Sequence, residues 1–267
     1  MDTVAVTLCS GSSGNAALIS NGTSHILADC GMSLRRLTRE LERFNITPRD
    51  LSGVVLTHEH TDHVAGLKML NNLDIPIYSS EGTLRAVTDR HITRRELLNA
   101  VPEGEFDIGG IAVTGFRTSH DAADSRGYTF DTGDAKIGVC TDLGEMTDGI
   151  LTSLSGCDYV ILECNHDIHM LNGGSYPLFL RRRILSRFGH LCNEDCAEAA
   201  AYLAGNGTAR VTLAHMSEEN NDPSLALGAV LWALDNRGLT GGAEVDAAPR
   251  HHAGTPFLRR GKYAAMA

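Results

Sequence analysis

The chain has 267 residues, 42% of them hydrophobic, enough to bury one large core; no Pro/Ser-rich linker or charge block divides it, so residues 1–267 read as a single domain. A formal net charge of −10 and a pI near 5.6 argue against a protein that coats nucleic acid electrostatically, while leaving room for a local basic site. No apolar stretch approaches the roughly 20 residues of a membrane span, and the N-terminus lacks a basic region followed by a long apolar one, so a cytoplasmic protein with no membrane partner is expected.

Residues 3–9 read as a strand that runs into Ser10-Gly11-Ser12-Ser13-Gly14-Asn15 before a second strand over 16–20. Two glycines among hydroxyl and amide side chains expose backbone N–H groups that can face an anion, which singles out Ser12, Ser13 and Asn15. A plain hairpin turn explains the same residues, and only proximity to a reactive centre would favour the anion. Residues 25–31 form a further strand ending in Asp29-Cys30-Gly31, and Leu34, Leu37, Leu41 and Phe44 then recur at helical spacing over 32–45. Asp29 either caps that helix or supports a ligand histidine from behind.

Gly53-Val54-Val55-Leu56-Thr57 suits a buried strand, and the residues from Asp62 onward suit a helix with Val64, Leu67 and Leu70 on its apolar face. Between them stands His58-Glu59-His60-Thr61-Asp62-His63. On extended backbone His58 and His60, two apart, point the same way, while Asp62 and His63 leave the first helical turn from the other side. Imidazole plus carboxylate is the donor set that Zn²⁺, Mn²⁺ or Fe²⁺ prefers, and two sets of ligands in one motif imply two ions.

A strand over 75–78, helical signals over 81–99 with a solvated charged face, and a hairpin over 106–116 turning at Gly109-Gly110 follow. The last strand ends in Arg117-Thr-Ser-His120-Asp121; a lone histidine is usually structural, but His120 gains weight because a first metal still needs a third protein ligand. Residues 122–126 read as a flexible loop. Strands over 127–131 and 136–140, separated by a Gly133-Asp134 turn, lead to Asp142, which fits a carboxylate bridging two cations better than a cap. The strand over 157–163 delivers Glu163 and, just beyond it, His166, candidates for supporting and substrate work. Chemistry has by then been placed at strand ends four times, as expected where loops converge at the edge of a sheet.

Residues 177–188 read as a helix carrying Arg181, Arg182, Arg183 and Arg187, the densest positive patch of the chain; a solvated face and a phosphate contact are both consistent with it. A helix over 193–205 with Asn193 as N-cap, a buried strand over 210–215 ending in His215, a helix over 224–236 and an edge strand within 244–252 complete the pattern. His215 is the natural last ligand of the second metal. The seven cysteines (Cys9, Cys30, Cys140, Cys157, Cys164, Cys192, Cys196) are odd in number and lack CxxC spacing, so they are expected to be buried small hydrophobes, and none is assigned to metal.

The run His58-x-His60-x-Asp62-His63, followed by His120, Asp142 and His215 in that order, resembles the signature of the metallo-β-lactamase fold superfamily. Gly-Ser-Ser-Gly-Asn at 11–15, Glu-Cys-Asn-His-Asp at 163–167, Gly-His-Leu-Cys-Asn-Glu-Asp at 189–195 and Ala-His-Met-Ser-Glu-Glu-Asn-Asn at 214–221 are similar to the YycJ/WalJ group within it. Cys164, Cys192 and Met216 depart from that group's pattern, away from the ligand set. The resemblance implies an α+β fold, a four-layer αββα sandwich with metals at the edge of two facing sheets. It also implies a metal-dependent phosphodiesterase with 5′-to-3′ DNA exonuclease activity.

The expected site holds one divalent ion on His58, His60 and His120 and a second on Asp62, His63 and His215, with Asp142 bridging; Zn²⁺ and Mn²⁺ fit alike and Fe²⁺ is a third candidate. Two cations would activate a water for in-line attack on phosphorus, with Asp62 also able to take its proton. His190 or His166 would protonate the leaving group, and Ser12, Ser13, Asn15 and Arg181 to Arg183 would hold the DNA backbone. Asp29 and Glu163 would orient ligands. The same metals could instead serve an ester, lactone, thioester or small phosphodiester, whereas a non-catalytic binding module would show a broken ligand set.

Overall fold

A computed structural model describes residues 2–102 and 104–261. The first half comprises β1 (Thr3–Cys9), β2 (Ala16–Ser20), β3 (His25–Ala28), α1 (Leu34–Glu42), β4 (Leu51–Val55), α2 (Thr61–Val64), α3 (Leu67–Leu70), β5 (Ile77–Ser79), α4 (Glu81–Asp89) and β6 (Leu98–Ala100). The second comprises β7 (Glu105–Ile108), β8 (Ile111–Arg117), β9 (Arg126–Asp131), β10 (Lys136–Cys140), α5 (Asp148–Leu154), β11 (Tyr159–Glu163), α6 (Ile168–Gly173), α7 (Leu178–Ile184), α8 (Asn193–Gly205), β12 (Arg210–Ala214), α9 (Pro223–Asn236), β13 (Glu244–Ala247) and β14 (Phe257–Arg259). Among the described residues they form two seven-stranded sheets, ordered β14-β1-β2-β3-β4-β5-β6 and β13-β12-β11-β10-β9-β8-β7.

Period-two alternation decides which face of each strand meets which layer. In the first sheet Ala5, Ala17, Ile19, Ile26 and Val55 point inward, against Val113, Tyr128, Phe130, Ile137, Val139, Tyr159 and Ile161 of the second. Their neighbours Val6, Leu8, Leu18, Leu27 and Val54 point outward, onto Leu37 and Leu41 of α1, Leu67 and Leu70 of α3, and Leu84 and Val87 of α4. The outer face of the second sheet is covered in the same way by α5, α8 and α9. The layers are therefore helix, sheet, sheet, helix, as expected.

Several elements differ from the reading of the sequence. The helix expected over 81–99 stops at Asp89, because His91 takes a left-handed φ of 50° and Ile92 N–H turns back to Val87 O. Leu98–Ala100 then pairs in parallel with β5, a long-range contact that outweighs local helix propensity. The helix beyond Asp62 breaks at Gly66, whose N–H is taken by Cys30 O. That over 177–188 ends at Ile184, where His190 N–H closes the turn on Ile184 O. Cys192, not Asn193, caps α8, since the Asn193 amide is occupied with Asn221 and Cys164. The loop at 122–126, expected to be flexible, is pinned by Ser80 and Thr83 hydroxyls on Asp124 O and by Glu59 on Ala123 N–H. All seven cysteines are free and buried. No helix among the described residues is long and apolar enough to cross a membrane.

Candidate metal centre

The strand ends converge as the topology requires. His58 to His63 follow β4, Asp29 follows β3, His120 follows β8, Asp142 follows β10, Glu163 closes β11 and His215 follows β12. Three of these residues, Asp29, Asp142 and His215, adopt left-handed φ values of 61°, 60° and 54°. Such a backbone costs about 1–3 kcal/mol per non-glycine residue and persists only where the surroundings impose it. Close approach is also enforced by Gly31, where a Cβ would lie 1.6 Å from Asp62 O.

The donor atoms of His58, His60 and His120 lie within 4.8 Å of one another, as do those of Asp62, His63 and His215. Asp142, 1% exposed, sits between the two groups. Its Oδ2 is 3.2 Å from His63 Nε2, and its Oδ1 is 3.7 Å from His120 Nε2 and 3.5 Å from His215 Nδ1.

Hydrogen bonds on the far side fix which nitrogen of each ring faces the cluster. A carbonyl can only accept, so His120 Nδ1 donates to Gly189 O at 3.0 Å and leaves the Nε2 lone pair inward. His63 Nδ1 donates to Asp29 Oδ2 at 2.8 Å. The Thr57 hydroxyl gives its hydrogen to Asp29 and so accepts from His58 Nδ1 at 3.0 Å. Glu163 Oε1 accepts from both His215 Nδ1 at 2.9 Å and His190 Nδ1 at 2.8 Å, while Oε2 takes Leu143 N–H and Leu191 N–H. His60 alone turns Nδ1 inward, 3.2 Å from His120 Nε2.

Electrostatics divide the rings: against burial, Asp142 and Asp29 hold His63 well above the ordinary imidazole range, and Asp142, Asp62 and Glu163 raise His215 to about 10, so a cation would displace a proton from each. Burial opposes ionisation of Asp142, yet His215 and His63 hold its carboxyl well below the usual range. Against the same penalty, His190 and His215 bring Glu163 down to about 2. Burial pushes the His58 imidazolium well below its ordinary pKa, so this ring is neutral and a lone-pair donor. Its Nε2, like Asp142 Oδ2, is buried without a hydrogen-bond partner. Unpartnered lone pairs among ionised carboxylates are a surrounding that a divalent cation would complete, so these residues fit such ions.

A cavity of about 170 Å³ opens beside this cluster, lined by His120, Asp121, His190, Ser12, Asn165 and Ser217 on one side and Tyr176, Leu180, Arg183 and Ile184 on the other. Ser12 faces it, and Ser13 is exposed nearby. Asn15 does not face it. Its amide nitrogen lies against the ligand atoms themselves, 3.1 Å from both Asp62 Oδ2 and His63 Nε2, while its Oδ1 closes the Gly11 turn. Arg183 reaches the cavity, but Asp121 grips its guanidinium at 2.5 and 3.1 Å. Arg181 bonds Asn172 O outside the cavity, and Arg182 is exposed. His166 is 1% exposed, does not line the cavity, and has no partner on either ring nitrogen. Asp29 caps no helix, since Ser33 fills that role for α1.

Asp121 and Tyr176 were not singled out from the sequence. Asp121 adjoins a ligand candidate and could have been suspected; Tyr176 precedes a proline in an irregular stretch and carries no periodic signal. Ser10 and Asn165, which grip His215 through its N–H and C=O at 2.7 Å each, were equally hidden.

The sequence matches the β-lactamase superfamily domain over residues 24–216. It is 35% identical over 242 residues to exodeoxyribonuclease YycJ of Bacillus anthracis, covering 87% of this chain and 89% of that protein. It is 34% identical over 226 residues to exodeoxyribonuclease WalJ of Streptococcus pneumoniae, covering 82% and 83%. Among solved structures, the metallo-β-lactamase fold protein YhfI of Bacillus subtilis superposes with a TM-score of 0.72 at 19% identity, covering 97% of this chain and all of that one.

Proposed function

The chain belongs to the metallo-β-lactamase superfamily and is a metal-dependent hydrolase, and from that premise we propose that it is a nuclease removing nucleotides from a DNA end, in the 5′-to-3′ direction. His58, His60 and His120 would hold one divalent ion and Asp62, His63 and His215 another, with Asp142 between them. When bound, Zn²⁺ or Mn²⁺, or Fe²⁺ as a third candidate, would supply an acidified water and offset charge on a phosphodiester oxygen.

The chain's own residues do the rest. Asp29 and Glu163 hold His63 and His215 by Nδ1, so that each ring keeps one orientation and one tautomer. Glu163 fixes His190 through the same oxygen. With its Nδ1 hydrogen committed there, His190 has Nε2 as the atom able to pass a proton to a departing oxygen in the cavity. Ser12 offers a hydroxyl to a phosphate at the cavity's rim.

The observation that carries this reading is the Glu163–His190 pair at the cavity wall, because a DNA alkoxide leaving group needs a positioned proton far more than the thiolate of a thioester or the phenolate of an aryl ester does. The test incubates purified protein and Mn²⁺ or Zn²⁺ with 5′-labelled single- and double-stranded DNA, beside Asp62→Ala and His190→Ala. Nucleotide release that needs metal and is lost in Asp62→Ala is expected. Equal release by Asp62→Ala, or hydrolysis of a lactone with none of DNA, refutes the proposal.

A further inference from the structure

The residues from Leu178 to Phe188 carry four arginines and no carboxylate, in a chain of net charge −10. Their outer surface is also apolar: Phe179 is 74% exposed, Leu178 56%, Phe188 48% and Leu185 45%. Isolated exposed hydrophobes need no explanation, but a contiguous set interleaved with guanidinium groups does. The inner face of the same segment, Leu180, Arg183 and Ile184, is a wall of the cavity next to His120 and His190. The patch is thus continuous with the site.

Charge separates the candidate occupants. A two-fold contact with a second copy would lay the patch on itself and bring guanidinium groups against guanidinium groups. Asp121 already balances Arg183, and Glu145 balances Arg187 at 3.1 Å. Arg181 is bonded only to a neutral carbonyl, and Arg182 projects into solvent, so both keep their full charge for an anion. Arg187 also lies 5.0 Å over the Phe188 ring, which holds that ring in place. Two aromatic faces flanking a run of arginines match bases beside phosphates. They match only unpaired bases, since a duplex hides its base faces and would need the cations alone.

We propose that the outer face of α7 and of the turn that follows it, with Phe179 and Phe188 as stacking surfaces and Arg181 and Arg182 as phosphate contacts, holds the unpaired end of the strand whose terminal phosphodiester enters the adjoining cavity. This rests on the nuclease reading of that cavity and adds the form of nucleic acid it takes.

The test measures binding without turnover. Full-length Asp62→Ala protein in Mn²⁺ buffer is titrated onto a fluorescent thymidine oligonucleotide of about 12 residues and onto a blunt duplex. Combining Phe179→Ala with Phe188→Ala should weaken single-strand binding by at least about tenfold, given what one lost base stack removes. Duplex binding should change by less than about twofold. Phe179→Tyr with Phe188→Tyr should restore the affinity, which separates lost stacking from a disturbed fold. In the metal-loaded enzyme with Asp62 intact, the same double alanine change should raise KM for the single strand and leave kcat nearly constant. Unaltered single-strand affinity, an equal loss on duplex, or conversion of a wild-type dimer to monomers in sedimentation each overturns the proposal. If the enzyme with Asp62 intact degrades no DNA, the nuclease reading fails, and the binding data still decide the platform separately.

Discussion

Replacing Glu163 by glutamine tests how the site is held. Glu163 is fully buried and accepts four hydrogen bonds, two from the rigid backbone N–H groups of Leu143 and Leu191 and two from the imidazoles of His190 and His215. Alanine would strand all four donors, and at about 1–3 kcal/mol for each unmet buried group the loss would rival a whole domain stability of about 5–15 kcal/mol. Glutamine keeps the shape but has one acceptor oxygen. The backbone N–H groups cannot change, so the amide oxygen must serve them and the NH₂ must face the imidazoles. Each ring then moves its hydrogen from Nδ1 to Nε2 in order to accept. Stability should fall by only about 1–3 kcal/mol. His215, however, now presents an N–H to the position its lone pair occupied, and metal affinity should drop by about 10–100-fold. Calorimetric titration of chelator-stripped protein with Mn²⁺, beside thermal melting by circular dichroism, measures both quantities. Wild-type metal affinity in Glu163→Gln, with the fold intact, would refute the assignment of tautomers and of Glu163 as the group that sets them.

Asp29→Asn applies the same exchange to His63, and because Asp29 also accepts from Thr57 N–H and its hydroxyl, it should cost at least as much metal affinity, read by the same titration. Gly31→Ala should abolish soluble expression, since its Cβ would overlap Asp62 O at 1.6 Å and no side-chain rotation relieves a backbone clash. Glu40, 2% exposed, has its pKa lowered: burial acts against ionisation, but Ala253 N–H, Arg39 and Arg43 overcome it. A lowered carboxylate stabilises above the unfolded value near 4.3 and loses that contribution as pH falls through the folded one. Glu40→Gln should therefore lower the urea midpoint at pH 7, with the gap to wild type closing as pH falls from the unfolded value through the folded one; a gap independent of pH would contradict the charge argument.

Much of the centre was legible because its chemistry is local. His58 to His63 lie within six positions at a strand-to-helix corner, and His120, Asp142 and His215 each end an apolar run that could be read as a strand. What escaped depends on partners distant in the chain. Asp29 remained open between a cap and a supporting group until Ser33 proved to fill the first role and His63 to need the second. Asn15 was read as a possible anion contact, yet its amide is held by Asp62, 47 residues away. The arginine run looked uniform in one dimension, while the turn of a helix divides it between the cavity, a carbonyl and solvent. The helix expected to reach residue 99 illustrates the same limit, since only the register of Leu98 against Ile77 makes that segment a strand.

The left-handed backbone at Asp29, Asp142 and His215 has an evolutionary consequence. Glycine at any of these places would relax the chain by about 1–3 kcal/mol but strand the buried groups that now meet the side chain, Thr57 and His63 for Asp29, His63 for Asp142 and Glu163 for His215, at a similar cost for each. The strain and the contacts that impose it thus stand or fall together. A laboratory lineage evolved for thermal tolerance without a catalytic screen should keep these three residues while its outer helices change.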